Sequence, residues 1–148
     1  MILSQFVFSF LATIGFAVLF NIPKNTIIKA SFGGAIGWSA FIYSKMLLHS
    51  PVFATFIGAL VVAGISEIFA RKFKEAVTVF VIPGILPLVP GVGTYYTMIA
   101  MIENDLYKSA RIGTETIFIA GSIAAAILIV SSFMRMLVQL KKTVIKKS

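Results

Sequence analysis

Three prolines and two glycines fall within nine residues, Pro83-Gly84-Ile85-Leu86-Pro87-Leu88-Val89-Pro90-Gly91, inside a window, Ala76–Ile102, that holds no Asp, Glu, Lys or Arg. Each proline removes an amide donor and collides with the preceding turn, so continuous helix through this stretch is strongly disfavoured. As one straight helix the window would measure ~40 Å, against a hydrocarbon core of ~30 Å. The pattern predicts a half-helix over Ala76–Ile82, a break over Pro83–Gly91 and a second half-helix from Gly93 to Ile102. Such a break exposes helix ends. The amides at the start of the second half, Gly91–Thr94, carry partial positive charge and unspent donors, which makes a seat for a carboxylate. Carbonyls freed around Val81–Gly84 offer contacts to a cation or an ammonium group. The hydroxyls of Thr94, Tyr95, Tyr96 and Thr97 follow directly. Discontinuous helices hold substrate in many secondary transporters. The plainer account is a kinked structural helix whose polar groups bond within the protein.

Two carboxylates invite a second kind of chemistry. Ionisable groups in membrane spans are functional candidates by default, and Glu67 and Glu115 are read as candidates for proton coupling. Each has a simpler account. Glu67 lies four residues before Arg71, the favourable order for a helical ion pair. Glu115 would suit the first turn of a helix, where the dipole favours an acid. Glu103, Asp105, Lys108 and Arg111 form a short polar connection. His49, the one histidine, precedes Pro51 in a loop and is an interface residue rather than a ligand. With one histidine and no cysteine, neither a metal site nor a disulfide is expected. No phosphate-binding loop, zinc-protease motif or nucleophile–histidine–acid set is present. Neither an enzyme nor a cofactor is predicted.

These groups are carried by an unusually apolar chain. Of 148 residues 59% are hydrophobic and 12% charged, about half the charge of a soluble domain. A chain this short cannot bury so much apolar surface in its own interior. Five windows lack Asp, Glu, Lys and Arg: Met1–Pro23, Ala30–Ser44, Met46–Ser66, Ala76–Ile102 and Thr116–Met134. The expectation is an all-α membrane protein of about five transmembrane helices, the fourth broken at Pro83–Gly91. The second window reaches spanning length only if Lys29 and Lys45 snorkel at its ends. The first window lacks the basic start and cleavage site of a signal peptide and is read as a retained helix ending at Asn21-Ile22-Pro23. Residues 1–140 form a single transmembrane domain, and 141–148 a basic cytoplasmic tail.

The net charge of +8 suits membrane orientation rather than nucleic acid. With five spans, ten of the 13 lysines and arginines (24, 29, 71, 72, 74, 135, 141, 142, 146 and 147) share one side. The positive-inside rule then places the N-terminus outside and the C-terminus in the cytoplasm of a multi-pass cell-membrane protein. Gly33 and Gly37, Ala54 and Gly58, and Gly121 and Ala125 are small residues four apart. They are read as helix-packing positions, which matter where lipid supplies no drive for association.

The Pro-Gly-x-x-Pro-Leu-Val-Pro-Gly stretch resembles the signature of the threonine/serine exporter family. The likeness is to the small subunit of its split form, equivalent to the C-terminal half of the fused exporter. Supporting pieces lie in order: Ala12-Thr13-Ile14-Gly15-Phe16-Ala17 leading to Phe20-Asn21-Ile22-Pro23, then Gly34-Ala35-Ile36-Gly37-Trp38, then Ala70-Arg71-Lys72. Tyr95 stands where the family commonly has a tyrosine; Lys72 departs from a frequent arginine. The resemblance implies a proton-driven exporter of threonine and serine, or of a dicarboxylate such as succinate. It also implies a larger partner subunit that carries the N-terminal half.

The resulting site set is Pro83, Gly84, Pro87, Pro90, Gly91, Gly93, Thr94 and Tyr95 along a substrate pathway, Glu67 and Glu115 for proton coupling, and Gly33, Gly37, Gly58 and Gly121 for packing. Expected partners are the larger exporter subunit, a second copy of this chain and membrane lipid. Two alternatives stand beside the exporter. One is a channel-like pore with Ala76–Ile102 as a re-entrant loop. The other is an accessory subunit with no substrate site of its own.

Overall fold

The structure is a computed structural model that describes residues 2–147. Met1, Ser148 and the side chains of 141–147 lie outside the described residues, and the basic tail expected over 141–148 falls there. The described residues form helices and no strand: α1 Ile2–Leu19, α2 Lys24–Leu48, α3 Pro51–Phe73, α4 Val77–Ile85, a 3₁₀ turn Leu86–Leu88, α5 Gly91–Ile102 and α6 Leu106–Lys147. α1, α3 and the Leu106–Leu140 part of α6 are long and apolar enough to cross a membrane. The bent pair Val77–Leu88 and Gly91–Ile102 makes up to four. By length and composition alone, therefore, the expected count of five is not confirmed. α2 forms a helix of 25 residues, but Lys24, Lys29 and Lys45 set it apart from the apolar spans.

Local chemistry explains the ends. Asn21, His49, Lys74 and Asn104 all take the left-handed conformation, with φ of 52–58°. After α1, the Ile22 and Asn21 amides donate to Ala17 and Val18 carbonyls at 3.2 and 3.0 Å. The Glu75 amide does the same to Ala70, and the Asp105 amide to Ala100. These Schellman-type closures use up carbonyls that would otherwise be stranded in an apolar medium. Pro23 then blocks continuation of α1, and Pro51 sits in the first turn of α3, where its missing N–H costs nothing.

α2 lies between α1 and α3, and α4 fills the cleft those three leave. Close approach rests on glycine. A methyl at Gly37 would meet the Val62 side chain and the Gly58 carbonyl, and one at Gly58 would sit 3.0 Å from the Gly37 carbonyl. Gly33 faces Ile65 at the same interface. One core cluster is Ala59, Val62, Val81, Leu88, Ile123 and Ala126, and a second is Ala30, Ala70 and Phe80. Gly121 does not take part in packing of this kind: nothing lies within 4 Å of a methyl placed there, because that face of α6 turns away from the bundle. α5 packs only on α6 among the described elements. Thr97 faces Gly113 and Thr116 faces Gly93 across that contact.

Candidate functional site

The predicted break is real but narrower than Pro83–Gly91. α4 runs through Pro83 to Ile85, and the chain then tightens into the 3₁₀ turn with Pro87 in its first positions. Pro83 is tolerated because its absent N–H deprives only the carbonyl one turn earlier, and membrane bundles accommodate such defects. The true discontinuity is Val89–Pro90. Pro90, at φ −79° and ψ 57°, makes an inverse γ-turn in which the Gly91 amide donates to the Val89 carbonyl at 2.8 Å. Beyond it α5 leaves at 50° to α4.

A cavity of about 350 Å³ opens at this corner. Its wall runs from Pro87 through Gly93. α2 adds Trp38, Phe41 and Lys45; α3 adds Pro51 and Thr55; α6 adds Ile112, Glu115, Thr116 and Ile119. Helical spacing delivers these sets. Residues 38, 41 and 45 share one stripe of α2, and 112, 115, 116 and 119 share one stripe of α6. The amides of Val92 and Gly93 have no carbonyl one turn earlier to bond, and no side chain caps α5. They supply the positive end of the helix at the cavity wall.

Two charges of opposite sign face the same space. Glu115 makes no ion pair or hydrogen bond among the described residues. Lys45 has only a distant contact, its Nζ lying 5.8 Å from the Phe41 ring centre. The hydroxyls beside them are already engaged as donors: Thr55 to the Pro51 carbonyl and Thr116 to the Ile112 carbonyl, both at 2.8 Å. Their free role is acceptance. The site therefore offers a cation, an anion, a pair of unspent amides and an apolar shell, the composition of a pocket for a small charged metabolite.

The sequence-predicted residues divide. Pro87, Pro90, Gly91, Gly93 and Glu115 meet at the cavity. Pro83 and Gly84 lie buried one turn away, where Gly84 packs against Gly34 and Val62. Thr94 and Tyr95 are exposed. The Thr94 hydroxyl donates back to the Pro90 carbonyl at 3.1 Å, and the Tyr95 ring stands edge-on to Tyr96. Glu67 is elsewhere. It is buried and paired with Arg71 at 3.3 Å, while Arg71 also donates to the Met134 carbonyl of α6 at 3.1 Å. Glu115 is not a first-turn acid, because α6 starts at Leu106, where the Lys108 amide bonds the Asp105 carboxylate at 2.9 Å. The helical start also absorbs Lys108 and Arg111, so only Glu103–Asp105 remains as connection. Trp38, Lys45, Thr55 and Thr116 are among the wall residues not predicted from the sequence. The signal for the first two is their shared helical stripe with Phe41.

These features define a multi-pass, all-α membrane protein with a broken helix at a charged cavity, the build of a transporter. A family model described as Threonine/Serine exporter, ThrE, matches residues 5–133. The chain belongs to that family and is an exporter-type transporter; the family is one of transporters and not of enzymes. No solved structure matches the chain.

Proposed function

We propose that the cavity at the α4–α5 corner is the substrate site of a gradient-driven exporter for threonine or serine. The carrying observation is that Lys45, Glu115 and the open amides of Val92 and Gly93 face one small space without neutralising each other. A substrate carboxylate suits Lys45 and the start of α5, and its ammonium group suits Glu115. A dicarboxylate such as succinate would set its second anion against Glu115, so the charge arrangement supports the amino acid over it. Of the two candidate acids, Glu115 is the better proton carrier, since Glu67 is already committed to Arg71.

The larger subunit expected from the family resemblance would cover α5, whose outer face carries Tyr95, Tyr96, Met98 and Ile102 exposed. If α2 also crosses the membrane, with Lys24, Lys29 and Lys45 toward its ends, the spans number five and the lysine and arginine distribution supports an N-terminus outside and a C-terminus in the cytoplasm. The test is efflux of labelled threonine from cells expressing this chain with the larger subunit. Lys45→Gln and Glu115→Gln should each lower efflux by about tenfold or more at unchanged membrane abundance, the loss expected of one charge-assisted contact. Unchanged efflux in both would remove the cavity from the path and leave the accessory reading.

A further inference from the structure

The cavity just described ends at a side chain that also walls a second one. On the α1 side of Trp38 and Pro87 lies a space of about 240 Å³, lined by those two residues with Gln5, Phe8, Ser9 and Ala12. The indole and the Pro87 ring are thus a partition shared by both compartments. Two contacts hold the indole. Its Nε1–H donates to Gln5 Oε1 at 3.0 Å, and its ring leans on Phe41 with centres 5.0 Å apart. The second compartment carries no charged side chain but contains an anomaly. Ser9 is only 5% exposed, and its hydroxyl has no hydrogen-bond partner. Thr13 bonds the Ser9 carbonyl, not the hydroxyl. Buried hydroxyls without partners are uncommon and need a reason. One turn further along α1 the space is closed. A methyl at Gly34 would lie 2.6 Å from the Thr13 hydroxyl and 3.1 Å from the Gly84 backbone, so α1, α2 and α4 meet there without a gap.

We propose that Trp38 is the barrier residue of the transport path and Gln5 its positioning partner. With the indole bonded to Gln5, the ring stands between the cavity holding Lys45 and Glu115 and the groove at Ser9, whose outer rim at Phe8 is exposed on the apolar face of α1. When that single bond breaks and the ring leaves the wall, the two become one passage. The Ser9 hydroxyl, with the released Gln5 amide beside it, can then receive a substrate hydroxyl or its accompanying water. One hydrogen bond to a neutral amide is a weak latch, which suits a partition that must open in every cycle. The inference rests on the transport reading above but makes its own structural demand.

The chain has no cysteine, so single cysteines report without background. In membrane vesicles of both orientations, Ser9→Cys is challenged with a membrane-impermeant methanethiosulfonate. Labelling should be slow behind Trp38. Adding Trp38→Ala should speed it by about tenfold or more, as the closed population is lost. Gln5→Leu should speed it by about fivefold, the shift expected from one lost hydrogen bond. Trp38→Phe, which keeps a ring in the wall, should stay nearer the parent. Ala59→Cys, fully buried in the core, reports unfolding and should stay unreactive in every background. Equal Ser9→Cys rates with and without Trp38→Ala overturn the proposal. Should Trp38→Ala expose both cysteines, Gln5→Leu decides, and no acceleration there overturns it as well. Threonine efflux in the same vesicles is read separately. Its absence alongside a Trp38-dependent labelling rate counts against the transport reading and not against the partition.

Discussion

The two halves of the broken element, α4 and α5, are alike in carrying no charge and opposite in circumstance. α4 is wedged among α1, α2 and α3, with Phe80, Val81, Pro83 and Gly84 buried. α5 touches α6 alone and buries only Ala100. One half is fixed by backbone-to-backbone contact; the other is held by a single helix and leaves most of its apolar surface open. The corner between them holds the charged cavity. A site at such a joint has one rigid wall and one that can be moved at small cost, since few contacts need to break on the α5 side. That asymmetry is the mechanical arrangement expected where a bound metabolite must be received on one side and released on the other.

The strongest way to break the contrast is to crowd the rigid half. Gly37→Leu would drive a side chain into Val62 and the Gly58 carbonyl. It should cost ~3 kcal/mol or more, since backbone cannot yield as a side chain can. The measurement is melting temperature in detergent; a shift of under a degree would refute close packing of α2 on α3. Gly84→Ala is gentler. Its new methyl would lie 3.0 Å from Val62 Cγ1 and 3.6 Å from the Gly34 amide, and a loss of ~1–2 kcal/mol is expected.

The joint comes next. Replacing Pro87 and Pro90 together with Ala restores two amide donors and should let the corner straighten. Spin labels at Thr78→Cys and Met98→Cys should report a longer separation, and efflux should fall by about tenfold. Full efflux with an unchanged separation would show that the prolines do not make the bend. On the loose half, Gly93→Ala meets only the Thr116 side chain. It should destabilise by ~1 kcal/mol and be relieved by a second change, Thr116→Ala, which removes the hydroxyl that the new methyl meets. The smallest effect belongs to the open face. Met98→Ala, with Met98 59% exposed, should move the stability of this chain alone by ~0.5 kcal/mol or less. It should weaken co-purification with the larger subunit if that subunit covers α5.

Much of this architecture was legible without coordinates. Long charge-free windows can only be stable as helices in lipid, because no other open backbone satisfies its own hydrogen bonds there. That physics specified α1, α3, the apolar length of α6 and the discontinuity before α5. The chemistry of proline put a corner between residues 83 and 91, though not at Val89–Pro90, since whether Pro83 ends a helix depends on what surrounds the carbonyl it leaves free. The sequence also pointed to five of the cavity residues, because they belong to the corner itself or carry a charge in an apolar setting. What remained hidden were the other residues contributed by α2, α3 and α6, Glu115 apart. Nothing in the local pattern says that Lys45 and Glu115, 70 positions apart, share one space while Glu67 is spent on Arg71. Nor does it say that Trp38 stands between two chambers with its indole on Gln5. Those facts depend on which faces α2, α3 and α6 turn toward one another. Glycines at 34, 37, 58 and 84 set those faces by permitting close approach at points that only the packed bundle defines.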